Sequence, residues 1–326
     1  MPPLFGVNSS DCSKLGEMET LGSLTTESRN RNSEHIDELS TLDMLAVINR
    51  EDATVAEAVA TQLRVIAKAV DAITERFAQG GRLFYIGAGT SGRLGVLDAS
   101  ECPPTFSVPP ALVQGIIAGG DAALRISSEH TEDSPDEGKN DIIASGFGIA
   151  NSADPAAATP DVLVGIAASG RTPYVLGAIL HARSLGAFTI GLACVEASPI
   201  SKIVDLAITP ITGPEVITGS TRMKAGTATK LVLNMLSTGV MVRTGMVYGN
   251  LMVNVKPTND KLIDRAHRII MAATGCDRYT ATRLLIEAQS VKTAIAMQKL
   301  GIARLAAEQR LADAGGSLSK ALSTNR

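Results

Sequence analysis

The chain has 326 residues, 30 Lys+Arg against 33 Asp+Glu, and a formal net charge of −3. With charge near balance and only 3% aromatic residues, it offers neither a positive field nor stacking platforms, so nucleic acid is excluded as an expected partner. A hydrophobic content of 45% excludes disorder over most of the length, and 30 glycines without any tryptophan suit a parallel α/β fold with many tight strand-to-helix turns.

Residues 1–25 are rich in Ser, Thr and Gly and read as a disordered N-terminal extension, with no basic start or apolar run of a signal peptide. Residues 26–80 read as N-terminal helices. A short helical pattern covers 40–49. A long amphipathic helix is predicted over 55–77, where Val55, Val59, Leu63, Ile66, Val70 and Ile73 recur three or four apart. Gly80-Gly81 ends it. Compact apolar strands follow at 82–86, 113–118, 161–167, 188–194 and 205–210, separated by helical patterns. Continuous apolar strands of this kind indicate a parallel sheet covered on both faces. The helix after the first strand is predicted to run to about residue 101 and to be stopped by Pro103-Pro104. The acidic stretch 129–137 reads as a loop and helix start. Residues 222–246 are helical again, and 260–326 read as a small all-helical C-terminal domain.

Cys12, Cys102, Cys194 and Cys276 are far apart and form no CxxC pair, which fits a reducing, cytoplasmic setting and no metal site. No run of about 18 apolar residues is present, so no membrane span is predicted.

Two turns carry the first chemical signal. Gly87-Ala-Gly-Thr-Ser-Gly-Arg93 and Ala167-Ala-Ser-Gly-Arg-Thr172 each follow an apolar strand, open a helix and contain Ser-Gly-Arg. Small residues let backbone approach an anion, and the free N–H groups of the helix start point at it. The alternative is that they are ordinary Gly-rich turns. Gly87, Gly89 and Gly92 match GxGxxG, but no acidic residue ends a clear second strand about 20 positions on, and no P-loop is present. The anion is therefore expected to be a sugar phosphate held by Gly89, Thr90, Ser91, Gly92 and Arg93 and by Ser169, Gly170, Arg171 and Thr172. A third element, Thr218-Gly-Ser-Thr-Arg-Met-Lys-Ala-Gly-Thr227, places Ser220, Thr221, Arg222 and Lys224 at a helix start. Positive charge is unfavourable there, so an anionic ligand is expected nearby.

At these residues the chain resembles the N-acetylmuramic acid 6-phosphate etherase family. The resemblance is carried by residues 85–105, including Gly-Ala-Gly-Thr-Ser-Gly-Arg-Leu-Gly and Asp98-Ala-Ser-Glu-Cys-Pro-Pro104, and by 164–174, 219–227, 230–238 and 248–252. It extends from about Thr26 onward. It implies the sugar isomerase (SIS) fold, a flavodoxin-like parallel sheet sandwich occupying 81–250, and a homodimer with active sites near the subunit interface. The implied activity is that of a carbon–oxygen lyase: N-acetylmuramic acid 6-phosphate and water give N-acetylglucosamine 6-phosphate and D-lactate, in peptidoglycan recycling and amino-sugar metabolism. The implied chemistry uses two proton carriers and no cofactor. By the same resemblance Glu101 is the acid on the lactate oxygen and Glu132 the base at C2, although the family's Gly-Ala-Glu-Asp-Ser reads His130-Thr131-Glu132-Asp133-Ser134 here. Both glutamates would otherwise read as solvated surface residues. Glu101 lies about ten residues from the first turn, roughly 15 Å along a helix, which a site shared across a dimer would resolve. Thr26-Glu-Ser-Arg-Asn30 resembles the family's N-terminal motif, making Glu27 and Asn30 weaker candidates. Glu215 is a further weak one, and His130 reads as a solvated loop residue. Phosphosugar isomerase and non-catalytic sugar-phosphate-binding regulator are the alternatives on the same fold. The Ser-Glu-Cys-Pro-Pro segment favours the etherase.

Overall fold

The computed structural model describes residues 25–126, 131–149 and 159–323. The readings made for residues 1–24 and for His130 lie outside the described residues. Helices α1 (Thr41–Ala53), α2 (Val55–Ala60) and α3 (Leu63–Ala78) precede β1 (Leu83–Gly87). The chain then alternates α4 (Gly89–Phe106), β2 (Val113–Ile117), α5 (Pro135–Ala144), β3 (Val162–Ile166), α6 (Pro173–Ser184), β4 (Phe188–Leu192), α7 (Pro199–Ile203) and β5 (Leu206–Ile208). The five strands form one parallel sheet in the order β2-β1-β3-β4-β5, with Tyr85 registered beside Gly115 and Val164. Every residue of β1 and β3 is buried, which is why these strands are apolar throughout and show no alternation.

Alternate side chains along each strand enter two cores. Tyr85, Val164 and Ile190 pack with α2, α3, α4 and α8 (Lys224–Arg243), whereas Phe84, Ile86 and Leu163 pack with α5, α6 and α7. A third core lies in the C-terminal region. It is enclosed by α9 (Asp260–Thr274), α10 (Arg278–Ala288), α11 (Val291–Leu300), α12 (Arg304–Asp313) and α13 (Leu318–Ser323). Asn259, Asp277 and Ser290 cap α9, α10 and α11 by accepting a hydrogen bond from the third backbone N–H of each helix. No helix among the described residues is long and apolar enough to cross a membrane.

Two expectations for the helices are corrected. The long helix predicted over 55–77 breaks at Thr61–Gln62, and Leu63 of its apolar stripe is 50% exposed. The break frees the Gln62 side chain to accept a hydrogen bond from Thr209 N (3.1 Å), which satisfies a backbone donor just beyond β5. Pro103-Pro104 does not stop α4, which continues to Phe106. Proline carries a helical φ, so the pair costs α4 two hydrogen-bond donors without ending it. Burial of Cys102 and Phe106 holds the last turn onto the core. Ser107, left-handed at φ 55°, closes it by donating N–H to Pro103 O (2.8 Å).

Candidate active site

The strand order makes β1 and β3 neighbours whose following helices, α4 and α6, leave on opposite faces of the sheet. A crevice opens at such a switch point, at the carboxyl ends of the strands, and it is where open α/β sheets take ligands. Both Ser-Gly-Arg turns stand there side by side. Thr90, Ser91, Ser169 and Thr172 are half-buried at its rim, as is Gly89. The first backbone N–H groups of α4 add an anion-favouring field, whereas the expected contribution from α6 is corrected: the helix begins at Pro173, which has no N–H, and Tyr174 and Val175 donate to Glu132 O and Thr172 O (3.1 Å each).

The turns owe their glycines to packing as well as to the ligand. A Cβ on Gly92 would lie 2.5 Å from Gly87 O and 2.7 Å from Ile117 Cγ1. Gly170 has φ +64°, and a Cβ there would lie 2.4 Å from Ser198 Cβ and Oγ. Both glycines are buried and shape the crevice from beneath. Arg93 departs from expectation. Its Nε donates to Leu124 O (3.2 Å) and its terminal NH2 group to Ala123 O (2.8 Å), so the guanidinium fork fastens the segment after β2. Arg171 is half-buried in the second turn.

The third element abuts the first turn, since a Cβ on Gly226 would meet Thr90 Cγ2 at 3.5 Å and Thr221 O at 3.4 Å. Ser220 and Thr221 are half-buried there. Lys224 is corrected. Its side chain is 3% exposed, and its Nζ lies 2.7 Å from Glu51 Oε2. The anion that its position demanded is supplied by the protein itself, twice. Glu215, the weak candidate, is fully buried; it accepts from Lys224 N and Ala225 N at 2.9 Å each and so caps α8. Glu51 takes the ammonium, together with Asn30 Nδ2 (2.8 Å) and Asn32 Nδ2 (2.7 Å). Burial works to raise the Glu51 pKa, but the hydrogen bonds from Lys224, Asn32 and Asn30 outweigh it and hold the carboxyl below its usual range.

Asn30 is thus a buried structural residue, tied also to Pro214 O at 3.3 Å. Glu27 is exposed, with its carboxylate against Gly219, whose N–H donates to Thr26 O (3.3 Å). The N-terminal motif therefore docks on the third element of its own chain. Sequence reasoning passed over Glu51, an acidic residue that its helical surroundings made look solvated.

Glu132 is brought to the crevice through α5 and α6. Gly138 and Gly177 let these helices touch backbone to backbone, since a Cβ on either would fall within about 2 Å of a carbonyl of the other helix. Tyr174 N, just past the second turn, donates to Glu132 O (3.1 Å), and Tyr174 OH donates to Asp141 (2.6 Å). A cavity of about 530 Å³ lies beside Glu132, lined by Gly119, Gly120, Thr131, Ser134, Glu137 and Asp141. Glu101 is not brought there. It is exposed near the far end of α4, twelve residues beyond Gly89 and about 18 Å along the helix. One turn earlier on its buried side, Asp98 accepts from Tyr85 OH (3.0 Å), Asn234 Nδ2 (2.8 Å) and Ser237 Oγ (3.1 Å), which locks α4 to the sheet and to α8.

A doubly wound parallel sheet with two anion-suited turns at its switch point defines an SIS-type α/β protein. Residues 65–183 match the family model for the glucokinase regulatory protein N-terminal SIS domain. The chain is 53% identical over 301 residues to the N-acetylmuramic acid 6-phosphate etherase of Aeromonas hydrophila, covering 92% of this chain and 98% of that protein. It is 52% identical over 304 residues to the enzyme of the same name from Clostridium botulinum, covering 93% and 97%. The chain belongs to the N-acetylmuramic acid 6-phosphate etherase family. Among solved structures, a phosphoheptose isomerase from Francisella tularensis aligns at 18% identity with a TM-score of 0.46, over 62% of this chain and 98% of that one.

Proposed function

We propose that the chain cleaves the lactyl ether of N-acetylmuramic acid 6-phosphate, releasing D-lactate and leaving N-acetylglucosamine 6-phosphate. The observation that carries this is family membership over the whole length of the etherases it matches. The crevice fits the substrate. The phosphate sits on Thr90, Ser91, Ser169 and Thr172 with the start of α4, and Ser220 and Thr221 close the rim. The ring-opened sugar carries an aldehyde at C1, which acidifies the proton on C2. Glu132 first takes that proton, leaving an enolate, and a protonated Glu101 then delivers its proton to the departing lactate oxygen as the C3–O bond breaks. Water then adds to C3 of the unsaturated aldehyde while C2 regains a proton.

The length of α4 between the first turn and Glu101 favours a homodimer in which Glu101 of the partner subunit serves the site. The cavity beside Glu132 accommodates the neutral part of the sugar, because Glu137 and Asp141 repel both of the substrate's anionic groups. Residues 81–250 form the SIS domain and 260–326 the helical C-terminal domain of a cytoplasmic enzyme of peptidoglycan recycling. The match to a regulator's SIS domain supports a second reading, a sugar-phosphate-binding protein without turnover.

One assay separates them. Purified protein with N-acetylmuramic acid 6-phosphate releases D-lactate under the etherase reading, and no lactate at high protein concentration overturns it. Glu101→Gln is expected to stop lactate release while C2 still exchanges its proton with D₂O. Loss of both activities in a folded variant would overturn the division of roles.

A further inference from the structure

The end of α4 is weak by its own sequence. Pro103 and Pro104 have no N–H, so the carbonyls of Ala99 and Ser100 cannot receive the bonds that a helix would give them. Glu101 lies inside this interrupted stretch, and the turn beyond it ends at left-handed Ser107, whose N–H donates to Pro103 O. The helix is fastened from outside. Asn254 Nδ2 donates to Phe106 O (3.0 Å), and Ser107 Oγ donates back to Asn254 O. This reciprocal pair joins residues 148 and 147 positions apart in the chain. Asn254 is itself held rigidly. Its neighbours Val253 and Val255, 1% and 4% exposed, are inserted into the core of the C-terminal helices. Those helices are in turn tied to the sheet domain by Lys292, whose ammonium donates to Gly245 O (3.0 Å) and Gly316 O (2.6 Å).

We propose that Asn254 is a positioning residue for Glu101, and that the C-terminal helices serve the reaction by presenting it. The inference rests on the reading of Glu101 as the general acid. It assigns the C-terminal core a part in one proton transfer and none in the other, because Glu132 is held separately, by α5 and α6 on the opposite face of the sheet from α4. A general acid must lie within hydrogen-bond reach of the leaving oxygen, and a displacement of about 1 Å can cost up to about 100-fold in rate.

The test uses the full-length chain with Asn254→Ala and Ser107→Ala, each of which removes one half of the clamp. For both, kcat for lactate release is expected to fall about tenfold or more, with KM and C2 proton exchange unchanged. Unchanged lactate release overturns the proposal. So does a parallel fall of lactate release and C2 exchange, which marks a merely structural role. Amide hydrogen exchange over residues 99–107 reads the clamp without reference to catalysis. It is expected to accelerate about tenfold or more in both variants, and unchanged exchange also overturns the proposal. Glu101→Gln run alongside separates the two readings: if that variant releases lactate normally, the acid assignment fails while the exchange data still decide whether the clamp exists.

Discussion

Replacing Lys224 by methionine keeps the volume of the side chain and removes its ammonium from a site where Lys224 is 3% and Glu51 11% exposed. Glu51 is then left buried with only the two asparagine amides, Asn30 and Asn32, against its charge. Breaking a buried pair by removing one partner costs about 3–5 kcal/mol, and the remaining amides place this case near the lower end. A loss of about 3 kcal/mol corresponds to a fall in Tm of about 6–12 °C, a large part of a domain's total of about 5–15 kcal/mol. The double variant Glu51→Gln/Lys224→Met removes both charges and is expected to recover about 2 kcal/mol relative to the sum of the single losses. Thermal and urea unfolding of the four proteins of the cycle, with substrate KM for each, checks this. If Lys224→Met shifts Tm by less than about 2 °C while KM rises steeply, the lysine is a phosphate ligand after all and the reasoning from burial is refuted.

The same carboxylate makes a pH prediction. Glu51 titrates below its ordinary value of 4.5 in the folded chain, so its contribution is complete above that pH and is lost as pH falls through the lower folded value. Glu51→Gln should therefore flatten the acid limb of a stability–pH curve below pH 4.5, and an unchanged limb would count against the assignment. Gly170→Ala combines a left-handed backbone, about 1–2 kcal/mol, with a clash against Ser198 of about 1–3 kcal/mol, so denaturant unfolding should show a loss of about 2–5 kcal/mol. Gly89→Ala, at φ +51° with open space around it, should show only the conformational part, and equal losses at the two sites would contradict the packing argument. Arg93→Ala should cost about 1.5–3 kcal/mol of stability with little change in substrate affinity. The reverse pattern would return Arg93 to the phosphate.

Much of this protein is written in local pattern. Continuous apolar runs determined five strands to within two residues at their ends, because a strand buried on both faces has few polar positions to blur it. Ser-Gly-Arg after the first and third strands marked the two turns, because the backbone conformation of a strand-to-helix turn is dictated by the residues inside it. Long motifs did the same for the family. The tertiary structure alone decided the partners of the charged side chains. Lys224 and Glu51 stand 173 positions apart, and nothing near either one announces the other. Glu215 satisfies the start of α8 from nine residues before it, and Arg93 reaches carbonyls 30 and 31 residues on. Lys224, Glu215 and Arg93 had looked available for a ligand because charge is visible in a sequence and its neutralisation is not. Glu101 is the converse case. Its motif marked it as functional, yet its place about 18 Å along α4 shows that the crevice of its own chain does not hold it. Periodicity and turn chemistry act over a few residues and can be read along the chain. Ion pairing, capping from a distance and the reach of a side chain depend on which segments the fold sets side by side.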